Sequence, residues 1–180
     1  RNVTGVQTCA LPISALLSNY KPRAEITLEE IPAPQKLAKF AYALSADVSN
    51  GLIGDAEAEL ANGRFVILHE PGGQDTWEGE FRCVTFLSAD LETTEAEDPS
   101  LPEHGWTWLL KALQDNRCQI AAPSGTVTRS ISHSFGKLST ASDGGEIEIR
   151  ASWTAIIKSG EELRSEEHTS ELQSHSFISY

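Results

Sequence analysis

The sequence predicts an α+β fold, in which an antiparallel sheet of about five to six strands packs against two helices. Several segments alternate apolar and polar residues, as strands with one buried face do. Two other segments repeat apolar residues at the helical spacing of three to four. Strand-like segments also follow one another without a helix between them, which favours antiparallel over parallel pairing.

The N-terminal part predicts a short strand followed by the first helix. Ile26 and Leu28 alternate with polar neighbours, which indicates a strand or an extended lead-in within residues 21–31. Apolar residues at helical spacing then predict a helix over Pro34–Ala46. Pro34 suits the first turn, where its missing N–H group would have no partner in any case.

Three strands and two turns are predicted next. Asn62–Gly63 lies between two strand-like runs and predicts a type I′ hairpin turn, which needs positive φ at both central positions. Pro71–Gly73 predicts a second turn. Glu78–Leu91 reads as a long strand with Phe81, Cys83, Thr85 and Leu87 on one face.

An acidic loop and the second helix come next. Glu92–Pro99 holds four acids and no base, which is typical of a solvated loop. Ser100 and Glu103 match a capping box, in which each side chain accepts a backbone N–H of the first turn. Apolar residues at helical spacing carry this helix to about Asp115.

The remaining strands are predicted to pair with each other. Arg117–Ala121 indicates a short strand, and Pro123–Gly125 predicts a turn. Thr126–Phe135 and Glu146–Ala155 alternate over ten residues each and are joined by a Gly-rich connection. We expect these two long strands to be antiparallel neighbours.

Composition bounds the class of protein. The chain has 180 residues and 39% hydrophobic residues, enough for one globular core. With 14 basic and 26 acidic residues its net charge is −12, which disfavours direct nucleic-acid binding. Apolar runs are too short to span a membrane. Cys83 and Cys118 show no CxxC spacing, and the chain shows no secretory signal, so we expect a reducing compartment, the cytoplasm. No cofactor is expected.

The sequences at the two ends of the chain indicate a cloning or sequencing artefact. Residues 1–14 and 164–180 contain strings that one common sequencing adapter can encode, the second as the reverse complement of the first in another frame. We therefore expect residues 15–163 to form the single α+β domain, truncated at both ends.

Four residues are candidates for a ligand site. Arg129 and His133 share the otherwise apolar face of a strand, where a cation needs a partner, so they indicate either an anion site or a structural ion pair. His69 and Trp77 lie near carboxylates at one hairpin end, which indicates either an acid/base pair or a polar turn closed by the indole.

Other chemistry has less support. The sequence between the flanks has none of the common nucleotide-binding, hydrolase or zinc-protease motifs. Its cysteines and histidines are too scattered for a zinc site, so no metal is expected. Trp108 lies two residues from Trp106 on the predicted helix, and it is either an exposed interface anchor or partly buried under the acidic loop.

Several segments together resemble a known family. They are Glu29–Gln35, Gly63–Arg64, Leu68–Pro71, Gln74, Trp77, Phe81–Arg82, Leu101–Glu103, Gly105–Leu109, Gly125–Arg129 and Glu148–Trp153. In this order they resemble the actinobacterial domain-of-unknown-function family numbered three thousand. The resemblance implies a bacterial, cytosolic protein. It implies no established activity and no catalytic residues.

These observations favour a non-enzymatic domain that binds a protein or peptide partner, either a different protein or a second copy in a homodimer. The acidic surface and the missing catalytic motifs support this hypothesis. The order helix, three strands, helix, strands also resembles secretion-chaperone-type folds, an argument from fold alone. The alternative is a small-molecule binder or unassigned enzyme that uses Arg129, His133 and His69. A role in RNA metabolism would require a basic partner protein.

Overall fold

The computed structural model describes residues 22–50, 59–138 and 143–156, so both predicted flanks lie outside the described residues. The described residues form one six-stranded antiparallel sheet with strand order β1-β2-β3-β4-β6-β5 and two α-helices. This confirms the α+β prediction. The elements are β1 (Ile26–Ile31), β2 (Phe40–Ser49), β3 (Glu59–Gln74), β4 (Gly79–Leu91), α1 (Thr93–Ala96), α2 (Leu101–Asp115), β5 (Ile120–Ser132) and β6 (Gly144–Ala155), with one 3₁₀ turn at Gly136–Leu138.

The hydrophobic core lies between α2 and one face of the sheet. α2 packs across β5 and β6, and Gly105 allows the close approach. A Cβ on Gly105 would lie 3.0 Å from the Cδ1 atom of Ile147 and 3.2 Å from the Cγ1 atom of Val127. The buried cluster comprises Cys83, Leu101, Leu109, Leu113, Ile147, Ile149, Ala151 and Trp153. The predicted apolar faces of β4 and β6 are thus confirmed.

The opposite face of the sheet, here called the open face, is not covered by either helix of the described residues. Side chains alternate along each strand, so Arg82, Val84 and Phe86 of β4 point away from buried Cys83 and Thr85. The antiparallel register places residues of β3 and β6 beside them on the same face.

The predicted helix over Pro34–Ala46 is wrong. Phe40–Ser49 is strand β2, which pairs with β3 along its whole length and with β1 over residues 43–48. Tyr42 and Ala43 are consecutive and both buried, on opposite faces of the sheet. Ala43 and Leu68 are therefore buried positions on the open face, whereas Val84 on the same face is exposed. The element order that suggested a secretion-chaperone-type fold is therefore absent, since four strands precede the first described helix.

The predicted hairpin turn at Asn62–Gly63 is also wrong. Both residues lie inside β3, where Gly63 stands between Ala46 of β2 and Leu87 of β4. A Cβ on Gly63 would lie 2.8 Å from the Cδ2 atom of Leu87 and 3.2 Å from the carbonyl oxygen of Phe86, so a larger residue would force the Leu87 side chain to move.

The second predicted turn, Pro71–Gly73, likewise lies within β3. It coincides with a shift of register between His69 and Gln74. Gly72 and Gly73 adopt φ values of 92° and 76°, which favour glycine. The chain reverses only over residues 75–78, and β4 then follows as predicted.

The segment before α2 differs from its prediction. The expected acidic loop contains α1, and Glu95 accepts a hydrogen bond from the backbone N–H of Glu92 at 3.2 Å. Ser100 precedes α2, but its hydroxyl donates to Asp98 at 2.6 Å and makes no cap hydrogen bond to the helix. The predicted capping box is therefore wrong, whereas the predicted end of α2 at Asp115 is confirmed.

The two last strands pair as predicted. β5 and β6 are antiparallel neighbours, with Arg129 opposite Ile147. The predicted turn at Pro123–Gly125 is instead a bulge inside β5, where the register shifts between Ala121 and Ser124. The short strand predicted over Arg117–Ala121 therefore contributes its end to β5, which begins at Ile120.

Candidate functional site

Arg129 is engaged within the fold. Its guanidinium lies on the helix-covered face of β5, and Nη1 donates to the carbonyl oxygen of Ala96 at 2.6 Å. That carbonyl belongs to the last residue of α1, where a cation also meets the negative end of the helix dipole. Hydrogen bonds from Ser100 lower the pKa of nearby Asp98, with smaller contributions from His104 and Arg129. Arg129 therefore anchors α1 to the sheet.

His133 interacts with a different partner. Its Nδ1 atom lies 2.7 Å from the Oδ2 atom of Asp143, and the backbone N–H of Ser134 donates to Oδ1 of the same carboxylate at 3.1 Å. Hydrogen bonds from His133 and Ser134 lower the pKa of Asp143. The pair is exposed and closes the connection between β5 and β6.

His69 lies in an aromatic stack at the other end of the sheet. Its ring is 4.2 Å from that of Phe81 and 5.6 Å from that of Phe40, on the neighbouring strands. Its Nδ1 atom is buried and has no hydrogen-bond partner among the described residues. Trp77 lies in the adjacent turn, where its carbonyl oxygen accepts a hydrogen bond from the hydroxyl of Thr154.

The structure does not bring the four predicted ligand residues together. His69 of β3 pairs with Phe81 of β4. Arg129 of β5 pairs with Ile147 of β6, which in turn pairs with Ala89 of β4. Ala89 is eight residues from Phe81 along β4. This separation corresponds to about 26 Å at the rise of a strand. A single site containing Arg129, His133 and His69 is not formed.

Trp108 lies on the outer side of α2. Its side chain is 47% exposed, and its ring stacks on that of His104 at 6.1 Å between centroids. An interface role for Trp108 stays a prediction.

Sequence reasoning missed a cluster of hydrogen bonds around Arg82. This half-buried guanidinium donates to four neutral oxygens: the Ala122 carbonyl at 3.0 Å and the hydroxyls of Thr154, Ser124 and Ser152 at 3.2, 3.3 and 2.7 Å. Arg82 forms no ion pair with any described carboxylate. The cluster joins β4, β6 and the bulge of β5, so its members come from segments far apart in sequence.

Two more arginines lie on the same face. Phe86 has Arg64 of β3 on one side and Arg150 of β6 on the other, two directly paired neighbours. The guanidinium of Arg150 lies 5.6 Å from the Phe86 ring centroid, and its Nε atom pairs with Glu148 at 2.9 Å. The Arg64 side chain has no polar partner among the described residues.

The resulting surface combines charge with apolar area. We define the open-face patch as Arg64, Val66, Arg82, Val84, Phe86 and Arg150. Val84 lies near its centre and is 38% exposed. Arg64 also borders an open depression of about 630 Å³, whose lining includes Asp47 and Glu59. The alternation of Arg82, Val84 and Phe86 was visible in the sequence, but their neighbours on β3 and β6 were not.

Comparison with known proteins identifies the family. A family model described as "Protein of unknown function (DUF3000)" matches residues 12–177. The chain belongs to the DUF3000 family. The match confirms the resemblance and includes every described element of this DUF3000 fold. No curated protein and no solved structure matches the chain.

The described ranges contain no group of three or more His, Cys, Asp or Glu side chains placed to hold a metal ion. Within the same ranges, no helix is long and apolar enough to cross a bilayer.

The two described cysteines of this DUF3000 protein are predicted to differ in reactivity. Burial raises the pKa of Cys83 to about 12, so about one molecule in 10⁴ carries its thiolate at pH 8. Partial shielding raises the pKa of Cys118 too, but this residue is exposed. We expect iodoacetamide to modify Cys118 in the folded protein and Cys83 only after unfolding, as mapped by peptide mass spectrometry. Equal rates at the two sites in the folded protein would contradict this assignment.

Proposed function

We propose that this protein is a non-enzymatic binding domain whose open-face patch takes an acidic, partly apolar segment of a partner protein. One observation carries the proposal. The guanidinium of Arg64 has no polar partner among the described residues, and Arg64 is a diagonal neighbour of Val84, which is exposed.

The apolar part of the patch supports contact with a protein rather than with a free ion. Val84 has 38% of its surface still accessible, and Val66 and Phe86 beside it are half-buried. Covering this area removes apolar surface from water, which contributes about 25 cal/mol per Å². A small inorganic anion would leave the same surface exposed.

The arginines support an acidic segment. Arg64 and Arg150 flank Phe86 on the two neighbouring strands, so their backbones are separated by about 10 Å. Arg150 already pairs with Glu148 at 2.9 Å, whereas the Arg64 side chain has no polar partner among the described residues. Guanidinium groups bind carboxylates through paired, charge-assisted hydrogen bonds. The net charge of −12 repels an acidic partner at long range, but salt screens this repulsion beyond about 8 Å at physiological ionic strength. Recognition therefore depends on the local arginines.

Selection from a random phage-displayed peptide library tests the proposal. We expect enriched peptides that contain Asp or Glu together with an apolar residue. Affinities of the enriched peptides are then measured by fluorescence anisotropy on the full chain and its variants. Val84→Asp and Arg64→Glu each introduce a carboxylate into the patch, and each is expected to weaken binding at least about tenfold.

Matched controls lie outside the patch. Leu37→Asp changes another exposed apolar residue, 55% accessible and between β1 and β2, and Lys137→Glu reverses an exposed charge after β5. Neither is expected to alter the affinity by more than about twofold. Failure to enrich any peptide, enrichment of basic peptides, or equal losses in the control variants would overturn the proposal.

We also propose a bacterial, cytoplasmic location. Cys83 and Cys118 are both free thiols, which supports a reducing compartment.

A further inference from the structure

The two edges of the sheet differ in how they are protected. β1 forms one edge with only six residues, includes Glu29 and Glu30, and is followed directly by Pro32. Short length, charge and proline are the features by which proteins prevent unwanted pairing at a sheet edge. β5 forms the other edge with 13 residues, and no strand of the described ranges pairs with its outer side.

Half of β5 has little of this protection. The bulge between Ala121 and Ser124, with Pro123 inside it, interrupts only the first part of the strand. Residues 126–132 contain no proline, lysine or acid, and four of the seven are exposed Ser or Thr residues. The one charge, Arg129, is directed towards α1 through its hydrogen bond to Ala96. This segment is a regular strand edge whose outer backbone donors and acceptors pair with no strand of the described ranges.

The segment is also symmetric in chemical type. Its sequence is Thr126-Val127-Thr128-Arg129-Ser130-Ile131-Ser132. Read from either end it gives hydroxyl, aliphatic, hydroxyl, arginine, hydroxyl, aliphatic, hydroxyl. If two such strands pair antiparallel about Arg129, Val127 faces Ile131 of the other copy and Thr128 faces Ser130. Aliphatic pairs and hydroxyl pairs are favourable cross-strand combinations.

Only the central pair would place like charges opposite each other. Each Arg129 already donates to the Ala96 carbonyl at 2.6 Å, at the negative end of α1. Asp98 is close enough for the Arg129 charge to lower its pKa, so local groups partly balance each guanidinium. Two copies can therefore approach along this edge although the whole chain is acidic.

We propose that residues 126–132 of β5 pair antiparallel with the same residues of a second copy, about a two-fold axis perpendicular to the sheet at Arg129. The two sheets become one continuous sheet, with α2 of both copies on the same side because directly paired residues share a face. Self-complementarity favours a second copy over a peptide from another protein. The dimer leaves the open-face patch accessible and does not depend on the function proposed above.

Disulfide trapping tests the register. In a full-length background with Cys9→Ser and Cys118→Ser, the pair Thr128→Cys and Ser130→Cys brings cysteines directly opposite each other in two places. Directly opposed residues have Cα atoms about 4.5–5.5 Å apart, within the range for disulfides. We expect most of this double variant to form a covalent dimer under mild oxidation. Thr128→Cys alone is expected to give at least about fivefold less covalent dimer. In the proposed register the two copies of residue 128 are diagonal neighbours, which lie farther apart than directly opposed residues.

Sedimentation velocity on the unmodified chain and on lysine variants provides the second measurement. We expect wild-type dimers at concentrations of about 10–100 µM and at least tenfold weaker association for Thr128→Lys, a charge at the exposed edge. The matched control is Thr27→Lys, an exposed threonine on the opposite edge strand, which should still dimerise. A wild-type monomer throughout, an unchanged Thr128→Lys dimer, or equally efficient trapping by Thr128→Cys alone would overturn the proposal.

Discussion

Replacing Gly145 by alanine is expected to lower the free energy of unfolding by about 2–3 kcal/mol, as over-packing of a buried site does. A Cβ at this position would lie 2.5 Å from the Cβ atom of Ala96 and 3.1 Å from the carbonyl oxygen of Leu91. Ala96 is fully buried, and neither obstacle is a flexible side-chain end. α1 would have to move away from β6 to admit the methyl group.

Gly144, the preceding residue of β6, is the matched control. A Cβ at Gly144 would have no heavy atom within 4 Å. Alanine there restricts the unfolded chain, so Gly144→Ala is expected to be neutral or stabilising by up to about 0.5 kcal/mol. Urea denaturation of both variants, followed by circular dichroism, measures the difference. Equal midpoints would mean that α1 does not pack on β6 as described.

The predicted strands and turns show which features of the fold a sequence pattern can predict and which it cannot. Alternation alone correctly predicted β4 and β6, because one face of each strand is apolar and packs in the core. Asn62–Gly63 carries a strong turn signal, yet the need for space beside Leu87 decides its role, and Leu87 is on another strand. A local motif cannot distinguish a glycine needed for its φ angle from one needed for its small size.

β2 was misassigned for a related reason. The apolar residues Phe40, Leu44 and Val48 are four residues apart, a spacing that fits both one face of a helix and one face of a strand. Ser45, Asp47 and Ser49 lie on the opposite face of β2, an alternation that the helical prediction overlooked. The pairing of β2 with β1 and β3, which excludes a helix, is not specified by the local sequence.

The candidate site was partly accessible from sequence. A buried cation needs a partner, and Arg129 does have one, but the partner is a backbone carbonyl that no side-chain pattern could indicate. The open-face patch depends on the register between β3, β4 and β6, so Arg64 and Arg150 could be placed beside Phe86 only once the strand order was known.

Substitution of Arg82 by leucine is expected to destabilise the fold by about 2–3 kcal/mol, within the range for loss of hydrogen bonds to a charged group. The guanidinium supplies all four donors of its cluster, and leucine would leave the Ala122 carbonyl and the buried Thr154 hydroxyl without this partner. The bulge of β5 would lose its connection to β4, because Arg82 reaches across β6 to bind it.

Arg64→Leu is the matched control on the same face of the neighbouring strand. Arg64 is exposed and its side chain has no polar partner among the described residues, so its replacement should change stability by no more than about 0.5 kcal/mol. Thermal and urea unfolding of the two variants separate the roles of the arginines. Arg82 would then be assigned mainly to holding the sheet together, and Arg64 would remain available for a partner. Equal destabilisation by both substitutions would show that Arg64 is also structural, and would remove the main support for the open-face patch as a binding surface.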